Sequence, residues 1–370
     1  MKMSGLLNVR AAVCHGIGEP LRLETVQLVP PAAGEVLIEI KASGLCHSDY
    51  HQMTGASTPY PFPVIVGHEG AGVVVECGAG VSSVRPGDHV VPLSIGECGH
   101  CGNCRSGKTN LCLEFFTGMQ TPPGRFSIDG RPVAAYANNG TFASCIVMKE
   151  QNVARIRRDV PFDIACTIGC AVATGVGAVL YTARVERGAS VAVFGLGGIG
   201  LNVVQGARLA GATTIIGIDV NPAREALARR FGATHFVDPQ KQSSDIVEQI
   251  RALTGGGVDY GFECVGSTKL MVQALECTRP GWGVCTVLGV PPEGEKLPIL
   301  PFDLQLGRTL KGSFLGNVKT RSQLPGLLDL YVEGRLDLDA LVTHRLPIGR
   351  INDGFDLMSD GKSVRTVVTY

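Results

Sequence analysis

The chain has no net charge to offer a partner: 33 basic and 33 acidic side chains cancel over its 370 residues. A neutral surface exerts no long-range pull on nucleic acid or on an anionic membrane. There is also no Lys/Arg stripe of the kind a nucleic-acid interface requires. The first ten residues lack the continuous apolar run of a secretory signal. The 49 glycines follow no collagen-like period. An odd set of 13 cysteines without a signal argues against a disulfide framework. It points instead to a reducing, cytoplasmic compartment, with free thiols and thiolate metal ligands. The stretch from Ile164 to Ala183 has no charge and is long enough to span a bilayer. Its small residues and its two cysteines read instead as a buried helix between domains.

The length exceeds what one ordinary core organises, so two domains are expected. The first third reads as short strands punctuated by Gly and Pro, with Val36–Ile40 a strand just before the segment Gly44-Leu-Cys-His-Ser-Asp-Tyr-His51. That segment packs a thiol, two imidazoles, a hydroxyl and a carboxylate into six positions, a density that packing does not explain. Cys46 can ligate a metal as thiolate. Ser48 and His51 can pass a proton, and Asp49 can orient a ligand from behind. The segments Gly67-His68-Glu69 and Gly169-Cys170 supply candidates for the rest of a metal site.

Cys98, Cys101, Cys104 and Cys112 follow on one loop. Their spacing lets the loop wrap a tetrahedral ion with four thiolates, a closed structural zinc site; an iron–sulfur site is the alternative. His100, inside the loop, reads as a solvated bystander.

From about residue 171 the pattern becomes alternating strands and helices, which implies a parallel, doubly wound sheet. The apolar strand from Ser190 runs into Gly195-Leu-Gly-Gly-Ile-Gly200, a helical stretch follows, and the next strand ends at Asp219. This is the dinucleotide fingerprint in its required context. Gly195 makes the turn, Gly197 admits the pyrophosphate, Gly200 permits close packing, and the helix N-terminus favours the anion. A Rossmann half beside a Cys/His half suggests metal-assisted hydride transfer. Cys46, His68 and Cys170 form a set with one position left open, in which zinc acidifies a bound alcohol.

These motifs, with the ending Val364-Arg-Thr-Val-Val-Thr-Tyr370, resemble the zinc-dependent medium-chain alcohol dehydrogenases of the dimeric class I and class III type, over essentially 11–370. The resemblance implies a mostly β, GroES-like catalytic domain over 1–171, a Rossmann domain over 172–314, and a segment 315–370 returning to the first domain. It implies two zinc ions and NAD per subunit, a homodimer, and a primary alcohol as substrate. Glu69 would lie behind the zinc. His47, Thr174, Gly198, Ile199, Val290 and Arg365 would meet the cofactor along with the glycines. Asp219 would take the ribose hydroxyls with Arg224 beside it, and Ser48 and His51 would relay the proton.

The chain departs from the family at several positions. His47 stands where an arginine often binds pyrophosphate. The segment Leu113-Glu-Phe-Phe-Thr117 has no arginine where the glutathione-adduct enzymes carry one, and the loop 56–60 lacks their acidic residues. Ser94 replaces an aromatic wall, while Phe116, Tyr136, Val290 and Phe314 keep the pocket apolar. The expectation is a roomy site for benzylic, allylic or longer primary alcohols, with the formaldehyde–glutathione adduct as the alternative. Cys14, Cys77, Cys145, Cys166, Cys264, Cys277 and Cys285 read as small buried apolar residues.

Overall fold

The computed structural model describes residues 5–56, 60–118, 124–241 and 245–370. They form two compact units. Unit 1 comprises 1–170, 319–334 and 342–370; unit 2 comprises 171–318 and 335–341. The fold class is α/β, a Rossmann sheet plus a mostly β unit.

Unit 1 is built from a closed barrel and a seven-stranded sheet. Its organising strand is Glu35–Gly44, antiparallel to both Glu69–Cys77 and Cys145–Lys149. Nearly every residue of that strand is buried, so its sequence shows a continuous apolar run rather than alternation. Its side chains Val36, Leu37, Ile38 and Ile40 join Phe142, Ile65 and Leu28 in the core. The strand delivers the chain directly to Cys46, which caps the helix His47–Thr54; Gly55, left-handed at φ 75°, ends that helix. The strand Glu69–Cys77 also pairs antiparallel with His89–Pro92, Gly72 opposite Val90 and Val73 opposite His89.

Unit 2 holds a six-stranded sheet in the order His235–Val237, Thr214–Ile218, Ser190–Phe194, Tyr260–Glu263, Val284–Val287, Thr309–Gly312. Every pair is parallel. The order reverses beside the central strand Ser190–Phe194, and ligands of such sheets bind outside the carboxyl ends at that switch. Helices are set by local signals. Asp245 accepts from Val247 N at 2.7 Å to cap Ile246–Thr254, and Gly255 at φ 65° stops it.

Three expectations change. The stretch from Ile164 to Ala183 is not one helix: it breaks at Cys170, whose φ −141° and ψ −77° lie outside helical values. Among the described residues no single helix is long and apolar enough to cross a membrane. The stretches 315–318 and 335–341, read from sequence as part of the returning segment, pack with unit 2. There Gln205 Oε1 accepts from Asp337 N at 2.7 Å, and Arg230 pairs with Asp337 at 2.7 Å. Phe126–Ile128 and Arg131–Ala135 pair as an antiparallel hairpin. Cys77, Cys145 and Cys264 are half-buried rather than buried; Cys14, Cys166, Cys277 and Cys285 are buried as expected.

Candidate active site and zinc centres

Asp49 is the residue around which the first centre is built. It is fully buried at the third position of the helix His47–Thr54. Its Oδ2 accepts from Cys46 N at 3.3 Å, and its Oδ1 accepts from Gly67 N at 2.9 Å. The same Oδ1 lies 3.0 Å from His68 Nδ1, which fixes the proton there and leaves Nε2 as the ligand nitrogen. Gly67 has φ 94°, and a Cβ there would lie 2.8 Å from Phe142 N, so only glycine lets the chain turn His68 inward.

Cys46, His68, Glu69 and Cys170 converge, their ligating atoms all within 4.8 Å of one another. A hydrogen bond from Cys170 draws the Cys46 thiol well below its ordinary value, against burial and with help from His68. The same bond pushes Cys170 well up. Burial opposes charge on His68, yet Asp49 and the Cys46 thiolate outweigh it and hold the imidazole well above its ordinary range. Burial lifts the Glu69 carboxyl to about 8 against the pull of Arg365. Arg365 Nη1 lies 3.1 Å from Glu69 Oε1 without hydrogen-bond alignment, so both Glu69 oxygens remain buried and without a hydrogen bond. Arg365 also donates to Leu45 O at 2.6 Å. Two thiols, an imidazole and an orphaned carboxylate suit a zinc ion with an exchangeable position.

The second centre is the four-cysteine loop. Cys98 Sγ lies 3.8 Å from Cys104 Sγ, and Cys101 Sγ lies 3.9 Å from Cys112 Sγ. Four sulfurs about 2.3 Å from one tetrahedral ion stand about 3.8 Å apart, so the set fits zinc closely.

Ser48 is half-buried, its Oγ 3.8 Å from Cys46 Sγ. His51 stands one turn along the same helix, edge-on to the exposed His47 at 6.5 Å. No hydrogen bond joins Ser48 to His51 among the described residues, so a relay through both needs a bridging group. Tyr136 is edge-on to His68 at 5.7 Å, and Tyr60 is edge-on to Tyr136 at 5.1 Å. Ser94 lies two residues past the strand His89–Pro92. Ser94 Oγ accepts from the buried Asn139 Nδ2 at 2.9 Å. The sequence reading missed Asn139; its signal was the turn-forming run Asn138-Asn139-Gly140. Phe116, Val290 and Phe314, expected to line the pocket, are 43%, 66% and 38% exposed. Residues 57–59 of the loop 56–60 lie outside the described residues.

The cofactor candidates divide between the units: His47 and Arg365 belong to unit 1, the remainder to unit 2. Gly195 has φ 87°. A Cβ on Gly200 would lie 1.8 Å from Gly195 O, whereas one on Gly197 would meet nothing within 4 Å. Gly200 is therefore fixed by packing, and Gly197 opens a cradle at the N-terminus of the helix Gly198–Ala210, next to Ile199. Asp219 Oδ2 accepts from Leu196 N at 2.7 Å and Oδ1 from Asn221 N at 2.8 Å. Burial lowers Arg224, and the charge of Asp219 opposes that shift. Thr174 is buried in the helix Ala171–Gly177. The phosphate cradle and the acid after it fit a dinucleotide.

Comparison with known proteins gives the same reading. Residues 32–158 match the alcohol dehydrogenase GroES-like domain, and 198–333 match the zinc-binding dehydrogenase domain. The chain is 48% identical to an S-(hydroxymethyl)glutathione dehydrogenase of Paracoccus denitrificans, covering 98% of this chain and 100% of that one. It is also 48% identical to an alcohol dehydrogenase class-3 of Cereibacter sphaeroides, with the same coverage. Among solved structures, a zinc-binding-domain alcohol dehydrogenase protein from Burkholderia ambifaria superposes with TM-score 0.93 at 34% identity over 99% of both chains. Benzyl alcohol dehydrogenase from Acinetobacter calcoaceticus superposes with TM-score 0.92 at 29% identity, over 98% of this chain and 99% of that one. With two donor sets that fit zinc and a dinucleotide cradle in place, this chain belongs to the zinc-dependent medium-chain alcohol dehydrogenases, whose cofactors are zinc and NAD.

Proposed function

We propose that this chain catalyses NAD-dependent oxidation of a hydroxymethyl group, with the adduct of formaldehyde and a small thiol, S-(hydroxymethyl)glutathione first, as the substrate class. The names of relatives at 48% and 47% identity support the adduct over the bulky alcohols expected from sequence. The observation that supports the chemistry is the convergence of Cys46, His68 and Cys170 with a buried, unbonded Glu69. Zinc, when bound, supplies Lewis acidity toward a hydroxyl, and NAD supplies the hydride acceptor. Cys46, Cys170 and His68 Nε2 would hold the ion. Asp49 keeps His68 in the ligating tautomer. Ser48, beside Cys46, would take the hydroxyl proton, and His51 would pass it toward solvent once the nicotinamide ribose bridges the two. Arg365 balances the charge of Glu69. Asp219 accepts from the ribose hydroxyls and disfavours a 2′-phosphate, which makes NAD the preferred cofactor over NADP.

A second reading, a bulky or aromatic primary alcohol, is supported by the small side chain of Ser94, bonded to Asn139, at the position where the resemblance implies an aromatic wall. NAD reduction assayed with formaldehyde, with and without glutathione, beside benzylic, allylic and aliphatic alcohols separates the two. The first reading expects glutathione to raise the formaldehyde-dependent rate above that with any simple alcohol. No effect of glutathione, with benzyl alcohol the best substrate, gives the site to the second reading.

We also infer a homodimer. The strand Thr309–Gly312 is an unpaired sheet edge, and the apolar Leu300 and Phe302 before it are 64% and 63% exposed. Edge pairing across a two-fold axis satisfies the strand and covers those side chains.

A further inference from the structure

The loop that wraps the four-cysteine set brings a third group of donors together on its outer side. One ring nitrogen of His100, a Glu114 carboxylate oxygen and Cys98 Sγ lie within 4.8 Å of one another. The spacing Cys98-Gly99-His100, with Gly99 at φ 80°, turns the imidazole back along the loop. His100 Nδ1 is 3.1 Å from the carbonyl oxygen of Cys98. A carbonyl only accepts, so Nδ1 carries a proton and Nε2 faces Glu114 Oε2 at 3.6 Å. That separation is too long for a hydrogen bond. It approaches the roughly 3.3 Å between two N/O donors held about 2.0–2.1 Å from one tetrahedral ion. The remaining carboxylate oxygen of Glu114 is taken by Lys149 Nζ at 3.3 Å, which leaves Oε2 directed at the imidazole. Lys149 is itself seated over the Phe115 ring at 5.5 Å. Four thiolates around one divalent ion retain surplus negative charge, and a thiolate keeps lone pairs for a second cation.

We propose that Cys98, His100 and Glu114 form an accessory site for a borderline divalent cation such as zinc or cobalt(II), with Cys98 bridging to the structural ion. The site is open to solvent, since His100 and Glu114 are exposed, and water completes its coordination. It is distinct from the hydride-transfer centre and adds a third metal position to the two that the family fold provides. The thiol–imidazole–carboxylate mixture selects ions that accept nitrogen and sulfur over magnesium or calcium.

The test starts from full-length protein already carrying two zinc ions. Equilibrium dialysis against zinc, followed by metal analysis, is expected to give a third equivalent per chain. Titration with cobalt(II) is expected to show thiolate-to-metal charge transfer, and the difference spectrum against His100→Ala isolates the accessory site from exchange at the other two. His100→Ala and Glu114→Gln are each expected to weaken the third equivalent by at least about tenfold, the scale on which supporting groups alter metal affinity. Both side chains are exposed, so the two tightly held zinc ions and the melting temperature stay unchanged. The proposal is overturned if no third equivalent binds. It is equally overturned if both variants keep that equivalent at wild-type affinity, or if bound cobalt shows no charge transfer that His100→Ala removes.

Discussion

At the scale of single residues, Asp49 does the most with one side chain. It caps the helix that carries Cys46, fixes the turn at Gly67 and orients His68. Asp49→Asn should weaken zinc at the Cys46 centre by about 10–100-fold, as loss of a carboxylate behind a ligating imidazole does. Chelator competition on the folded variant measures it, and unchanged affinity would remove Asp49 from this role. Asp219→Gly should narrow the preference for NAD over NADP by about tenfold, a change of ~1.4 kcal/mol. The ratio of kcat/KM for the two cofactors reads that change directly. The metal donors were legible in sequence because Cys-x-Ser-Asp and Gly-His-Glu concentrate reactive groups that a core does not need. The Ser94–Asn139 bond was not, because its partners are brought together by strand register and a turn rather than by spacing. His100 is solvated as expected, but its approach to Glu114 was not legible for the same reason: Glu114 reaches it only after the chain has passed Cys112.

Elements were legible where periodicity was unambiguous. The alternation after residue 190 gave the parallel sheet, since strands buried on both faces read as unbroken apolar runs separated by capped helices. It failed over 164–183, where uniform apolarity marks burial but says nothing about where a helix breaks. Cys170 leaves helical geometry there, and that break directs its thiol to the metal donors. The metal loop is an element of a different kind. Few of its residues are buried, so zinc rather than packing must hold it. Cys101→Ser should therefore release one zinc ion per chain and lower the melting temperature. A variant that lost zinc yet melted as the wild type does would contradict that account.

For the whole molecule, the relevant facts are a neutral surface, an exposed sheet edge and two zinc-compatible centres in unit 1. Leu300→Asp with Phe302→Asp should convert the expected dimer to monomer by light scattering, because charge on an apolar patch opposes its burial. An unchanged dimer would move the interface elsewhere. Substrate choice belongs to this scale too, and it was the least legible property. Glutathione-contacting charges were sought in the segment 113–117 and the loop 56–60, while the relatives that share 48% identity over nearly the entire chain carry the names of an S-(hydroxymethyl)glutathione dehydrogenase and an alcohol dehydrogenase class-3. The central claim is that hydride transfer depends on the Cys46–His68–Cys170 set and not on the four-cysteine loop. It is tested by metal content and NAD reduction measured together on wild type and Cys46→Ser. The account predicts two zinc ions and turnover in the wild type, and a folded Cys46→Ser variant that retains the structural zinc but reduces no NAD. Full activity in that variant, or a single zinc ion in fully active wild type, would contradict it.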